Sequence, residues 1–439
     1  MSAPTGLPPG PPLPPLAQTA LMMRYWSTAA ELCRRRYGPV FTVRLAGFGT
    51  GVYLADPVDI KAVFAGDPRV FHAGEANAVL GGVLGSSSVL VLDGDRHRDC
   101  RRLMLAPFHR EVVAAQEDLI AGIATDNVAG WPVGLPFAVA PRMSEITLEV
   151  ILRTAIGATD PARLAALRSV MPRLLSLSAW DTLAVARPEL QRHRAWRSLR
   201  RRITEADDLL YAEITERRAD PDLANRTDAL AMLLRAAEQA GRPMTDRSLR
   251  DQLMTLLVAG HDTTATALSW ALERLTRHPA ALARAVAAAR GTGNDAEDDA
   301  YLDAVGKETL RVRPVVYDVG RVLKEPVQIG GYRLPAGVTV IPAIGLVHAS
   351  PEVYPDPEHF DPDRMLDAVL TPTTWLPFGG GNRRCLGANL ALTELRVILR
   401  AVLRGVDLHT TAAPGERRRV RGVIHQPHRG AVITVAAHR

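Results

Sequence analysis

Cys385 closes a glycine-rich run at 378–387, Phe-Gly-Gly-Gly-Asn-Arg-Arg-Cys-Leu-Gly, and an apolar helix-forming stretch follows it at once. A thiolate at a helix start beside two cations is stabilised by the helix dipole and by charge. Such a group is either a nucleophile or a metal ligand, and the run alone leaves both open. Its glycines let the backbone pass close to something bulky. A second pair with chemical potential is Asp262-Thr263, within Ala259-Gly260-His261-Asp262-Thr263-Thr264. A carboxylate beside a hydroxyl in a dry interior is a proton-delivery pair. The small Ala259 and Gly260 leave room for a flat group against a helix. His97 and Arg101, four apart, share one helix face, as either a solvated cationic surface or a grip on an anion. Glu308 and Arg311, three apart, can pair, and Arg364 can complete a cluster with them because arginine binds carboxylates bidentately. Arg321 stands alone in a β-like segment.

These groups need elements to hold them. The strongest helical signal runs over 245–278, with Thr245 as N-cap, Asp246 in the first turn and His278-Pro279 at the end. It spans about 48 Å at 1.5 Å per residue. Its 253–259 portion is apolar apart from Thr255, which predicts burial on all sides. Gly260, Asp262 and Thr263 are each unfavourable in a buried helix, and local rules tend to break at functional sites. Helices are also predicted over 21–37, from Asp56-Pro57, over 96–110, through most of 111–290, and over 301–312 ahead of Pro314. Strands are predicted at 40–45, 51–54 and within 318–342. The polar stretch 291–299 reads as a surface loop, and the Gly/Ser-rich 74–94 as irregular, either a floppy surface loop or a substrate contact.

Composition narrows the class. Of 439 residues 47% are hydrophobic, which suits a large globular core. No linker interrupts 25–430, so the expected division is a Pro-rich segment, 1–20, and a single catalytic domain, 21–439. The net charge of +6 comes without a nucleic-acid motif. Cys33, Cys100 and Cys385 have neither disulfide nor CxxC spacing, as in a reducing compartment. No apolar run is long enough to span a bilayer, so the expectation is a cytoplasmic protein without a transmembrane anchor. The basic stretch 191–202 reads as a solvated helix face, with contact to an acidic partner or lipid headgroups as the alternative.

Four elements stand in order: Ala-Gly-x-Asp-Thr, Glu-x-x-Arg, Pro-x-x-Phe-x-Pro-x-Arg and Phe-x-x-Gly-x-Arg-x-Cys-x-Gly. Together they resemble the cytochrome P450 superfamily, in particular its bacterial, actinobacterial-type members. The resemblance implies a mainly α fold with small β-sheets. Haem b (iron protoporphyrin IX) would lie between the long central helix and the cysteine loop with the helix after it. It implies Cys385 as the metal ligand, with Phe378, Gly379, Gly381 and Gly387 shaping the turn beside the cofactor. It implies His97, Arg101, Arg321 and Arg383 as the hold on the haem propionates, and Ala259 and Gly260 against the ring. Asp262 and Thr263 match the acid–alcohol pair that supplies protons for oxygen activation, and Glu308, Arg311 and Arg364 match a structural triad. The implied activity is a monooxygenase acting with O2 on an apolar lipid, sterol or terpenoid-like molecule. Electrons would come from a separate ferredoxin or flavodoxin with its reductase, because no fused flavin or iron–sulfur domain is expected. The alternatives are an H2O2-dependent peroxygenase, whose members place Arg and Pro where Asp262 and Thr263 stand, and a non-enzymatic haem-binding or sensor protein. Arg102 and Arg384 would face an acidic electron donor. The pocket would be lined from 74–94, 173–195, 315–319 and 421–426. Tyr317 and Asp318 would either anchor a polar substrate group or turn outward.

Overall fold

The computed structural model describes residues 6–175, 181, 185, 189, 193–291, 295–366 and 368–439. Its axis is the central helix Asp246–Leu275, where Thr245 accepts a hydrogen bond from the Ser248 N–H at 3.2 Å, the expected N-cap. The long helices Ala140–Ile151, Arg197–Arg218, Asp295–Val312 and the cysteine-side helix Ala388–Gly405 pack on it. The main hydrophobic core fills the space among them, with Leu253, Leu257, Leu268, Leu302, Ile398 and Leu399 nearly inaccessible.

The helix predicted over 301–312 begins earlier, at Asp295. Asp295, Glu297 and Asp298 look like loop residues by polarity, but acidic side chains favour a helix's first turn. Residues 292–294 of the predicted loop lie outside the described residues. The N-terminal helix likewise runs Pro15–Tyr37, with a break in helical geometry at Tyr25.

The sheets are small. Strands β1 (Val40–Leu45), β2 (Gly49–Leu54), β3 (Phe71–His72), β5 (Arg321–Leu323) and β8 (Thr339–Pro342) form one sheet in the order β1-β2-β8-β5-β3. A second joins β4 (Pro136–Ala138), β12 (Val432–His438) and β9 (Val406–Leu408). Two hairpins complete the set: β6 (Val327–Ile329) with β7 (Tyr332–Leu334), and β10 (Arg418–Arg421) with β11 (Ile424–Pro427). An exposed edge strand invites mispairing. Here the Pro-rich segment covers β1: Thr42 donates its backbone N–H to the Pro9 carbonyl at 2.9 Å and its hydroxyl to that of Pro8 at 2.7 Å.

Among the described residues no helix is long and apolar enough to cross a membrane, and no cluster of three His, Cys, Asp or Glu side chains is placed to hold a metal ion.

Candidate active site

The cysteine loop is built by its glycines and one backbone bond. The Cys385 N–H donates to the Phe378 carbonyl at 2.9 Å and closes the turn. Gly381 has φ +65°, and a Cβ there would sit 1.9 Å from the Phe64 carbonyl oxygen. Its glycine therefore serves packing on the helix Pro57–Ala65. Gly379 also has positive φ, +64°, in open space, whereas a Cβ on Gly387 would meet only Phe108, at 3.9 Å. Phe378 packs edge-on to Trp375. Burial pushes the Cys385 thiol up, while the Gly387 N–H, Arg101 and Arg384 pull it down. The side chain is nevertheless accessible. The other two cysteines are ordinary. Cys33 is buried, and burial pushes the Cys100 thiol up to about 12.

The arginines expected around the cofactor converge. Arg321 is 6% exposed, yet among the described residues its side chain has a single hydrogen bond, to the Gly320 carbonyl at 2.8 Å. No described carboxylate lies within ion-pair distance of it. Burial, and then Arg383, lower its pKa to about 10. Arg383 is lowered similarly to about 10 by burial and Arg101, although it pairs with Asp93 at 2.5 Å. Burial and the surrounding Arg383, Arg101 and Arg321 push His97 down to about 3, so it is neutral. One carboxylate thus serves a buried group of cations, an arrangement that is costly without further anions. Two propionates supply them, so the residues present fit haem on an observation independent of the motif. Arg101 lies closer to the cysteine, donating to the Arg384 carbonyl at 2.7 Å. Arg384 is exposed. Arg102 is exposed too, but leans on Asp99 at 3.3 Å.

The central helix is not buried all round over 253–259 as predicted. Ala259 is exposed, and Leu256, Val258, Gly260, Asp262 and Thr263 are partly accessible. Gly260 belongs elsewhere, since a Cβ there would meet Ile151 Cδ1 at 3.0 Å; its smallness lets the helix Ala140–Ile151 approach. Thr263 donates its hydroxyl to the Ala259 carbonyl at 2.7 Å. His261 is locked away from the open side, its ring nitrogens 3.1 Å from Ser144 and 3.1 Å from Thr147, and burial lowers it to about 4.

The triad is a strut. Arg311 forks onto both Glu308 oxygens at 2.8 and 2.7 Å and also binds the His348, Pro357 and His359 carbonyls. Arg364 stands 3.7 Å from Glu308 and donates to the Pro355 carbonyl.

Tyr317 and Asp318 neither anchor an open pocket nor turn outward. Asp318 accepts from Trp26 Nε1 at 2.7 Å and Tyr53 OH at 3.0 Å, and burial pushes its carboxyl up to about 6. Tyr317 is buried and stacks on His425. The loop within 74–94 is not floppy where it meets the central helix. Asp251 accepts from the Ser87 N–H, and Gln252 bridges the Val89 N–H and the Ser87 carbonyl. Ser88 and Thr255 pair at 2.7 Å, and Arg250 donates to the Leu84 carbonyl. Of the 173–195 lining and the 191–202 stretch, residues 176–180, 182–184, 186–188 and 190–192 lie outside the described residues. Arg202 pairs with Asp181, and Arg201 with Glu205.

Three participants carry no local signal in the sequence. Asp93 ties Arg383 to the Gly74 and Glu75 N–H groups. Glu394, on the cysteine-side helix, is 2% exposed, and burial pushes it up to about 8 against a hydrogen bond from Thr264. Arg421, at the end of β10, is paired with Asp262.

A fold of this kind around such a cysteine defines a haem-thiolate protein, and comparison with known proteins agrees. The model of the family Cytochrome P450 matches residues 8–432, and the chain belongs to that family. Cytochrome P450 135B1 of Mycobacterium tuberculosis is 66% identical over 435 residues, covering 99% of this chain and 92% of its own. Cytochrome P450 135A1 of the same species is 41% identical, covering 99% and 96%. Among solved structures, a retinoic-acid-bound cyanobacterial CYP120A1 superposes with a TM-score of 0.84 at 24% identity, covering 99% of this chain and 100% of its own. The cytochrome P450DA haem domain superposes with 0.83 at 23% identity, covering 100% and 99%. The chain is thus a cytochrome P450 monooxygenase with a haem-thiolate cofactor, working with O2 and a redox partner.

Proposed function

We propose that this chain inserts one oxygen atom of O2 into an apolar small molecule of lipid, sterol or terpenoid type, with haem b as cofactor. Electrons come from a separate ferredoxin or flavodoxin and its reductase. The observation that carries this reading is the pair of enclosed cations Arg321 and Arg383, short of anions and flanked by the neutral His97, beside an accessible Cys385. Cys385 would ligate the iron, and His97, Arg101, Arg321 and Arg383 would hold the propionates. Bound there, haem supplies the oxygen chemistry, its thiolate ligand favouring O–O cleavage.

The remaining work falls to side chains. Thr263 carries a hydroxyl on the accessible side of the central helix and can turn from the Ala259 carbonyl to present a proton inward. Asp262, next to it, can pass protons from outside. Glu308, Arg311 and Arg364 hold the loop that precedes the cysteine run and touch no substrate. Arg384 and Arg102 form the basic face offered to an acidic donor protein.

Thr263→Ala tests the relay. Product formed per electron consumed should fall several-fold while the red-shifted Soret band of the reduced carbon monoxide complex persists; unchanged coupling would refute the assigned role. For donor docking, charge reversal at Arg102 should slow reduction by an acidic ferredoxin, most strongly at low salt.

A further inference from the structure

Two arginine–carboxylate pairs in this molecule differ in kind. Arg311 grips Glu308 through two parallel bonds, and both side chains are wholly buried. Arg421 meets Asp262 through one nitrogen and one oxygen, with 33% of its side chain and 16% of the aspartate's exposed. The first pair is a fixture. The second is a single contact open to a competitor. The Arg421 side chain makes no other hydrogen bond to a described residue, so most of its guanidinium donors remain available.

Its position says which competitor. Arg421 ends β10, and Gly422 (φ +60°) and Val423 turn the chain into β11. The hairpin is fixed to the core by the His425 N–H on the Val315 carbonyl at 2.8 Å and by Trp270 Nε1 on the His425 carbonyl at 2.9 Å. Its tip therefore reaches the middle of the central helix, beside the accessible side of Ala259 and Thr263. Val423 is 60% exposed there, an apolar side chain next to a cation with spare donors.

We propose that Arg421 is the recognition site for an anionic head group, and that the substrate is a carboxylate-bearing lipid or terpenoid acid. The substrate's carboxylate takes the guanidinium fork bidentately, a better match than the single bond to Asp262. The exchange frees Asp262, so arrival of the substrate and release of the proton-delivery residue become one event. No bond to carbon changes in this step; one ion pair replaces another. This rests on the monooxygenase reading and on Asp262 as part of its relay.

The test titrates the haem-loaded protein with probe pairs sharing a tail but not a head: dodecanoic acid with methyl dodecanoate, and abietic acid with methyl abietate. Binding is read by the optical spin-state shift and by calorimetry. At least one acid should bind roughly tenfold or more tightly than its ester, the worth of a hydrogen-bonded charge. Arg421→Gln should remove that preference and leave ester affinity in place, and Arg421→Lys should restore part of it. Asp262→Asn removes the competitor and should strengthen acid binding, an effect that a merely structural pair would not give. Equal affinity for acid and ester, a preference that survives Arg421→Gln, no binding by either acid, or unchanged acid affinity in Asp262→Asn each overturns the proposal. Failure of the monooxygenase reading is distinguishable, because it shows as loss of the red-shifted carbon monoxide band in the wild type.

Discussion

Replacing Glu394 by glutamine should make the protein more stable, by an amount set by pH. Glu394 is enclosed on the cysteine-side helix, and burial raises its carboxyl from 4.5 to about 8, with Thr264 its hydrogen-bond partner. The folded-state pKa lies above the unfolded one. Stability is therefore fully present below about 4.5 and is lost as pH rises through about 8. Each pH unit in that window costs about 1.4 kcal/mol, so the site is worth about 3 kcal/mol less at neutral pH than in mild acid. Glutamine has no such titration and can still accept from Thr264. The stability difference between variant and wild type should grow by about 2–3 kcal/mol from pH 5 to pH 7 and level off above about 8. Paired urea unfolding series across that range would measure it. The buried histidines act with the opposite sign. His97, His348 and His425 are held at about 3 and His261 at about 4, so their stability is present above 6.5 and is lost as pH falls through the window below it. They are common to both proteins and cancel in the difference. A difference that stayed constant over the whole range would refute the reasoning, because Glu394 would then titrate normally.

Three further outcomes are expected. Arg321→Met removes a buried cation that lacks a carboxylate: the cofactor-free protein should gain roughly 1–3 kcal/mol while haem is retained about tenfold less well, by thermal melts and haem transfer to apomyoglobin. Arg311→Lys loses the fork onto Glu308 and cannot reach three carbonyls at once, so it should cost about 3–5 kcal/mol or prevent folding, measured as soluble haem-bound yield. Gly381→Ala sets a Cβ against the Phe64 carbonyl at positive φ and should destabilise by about 2–4 kcal/mol, seen as a lower melting temperature; a neutral result would mean the loop can leave the helix Pro57–Ala65.

What could be read in advance was what is written locally. Thr245, Asp246 and His278-Pro279 mark the ends of the central helix within a residue or a few, because caps and breakers act on their own neighbourhood. The cysteine run was legible for the same reason. The acidic start of the helix Asp295–Val312 was misread because the same polar residues suit a loop or a first helical turn. Arg421 and Asp262 are 159 positions apart, and Asp318 lies 292 from Trp26. No pattern along the chain announces such meetings, and the fate of Tyr317 and Asp318 depended on them. The glycines were recognised as necessary, but the reason at Gly260 and Gly381 is a neighbour, Ile151 or Phe64, that only the fold brings near.

With 74–94 lining the pocket, as proposed, the stitching of residues 84–89 to the central helix has a consequence for selectivity. Backbone groups of Leu84, Ser87 and Val89 are held by Arg250, Asp251 and Gln252, roughly three to three and a half turns before Thr263. A wall already ordered before a ligand arrives costs little entropy to close around it, and it also yields little to a ligand of the wrong shape. Ligand binding on this side should show a small heat-capacity change and a narrow tolerance for bulk. Any guest that does strain the wall pushes on the same rod that carries Asp262 and Thr263, the proposed proton-delivery pair, so misfit should register as wasted reducing equivalents before it registers as lost affinity.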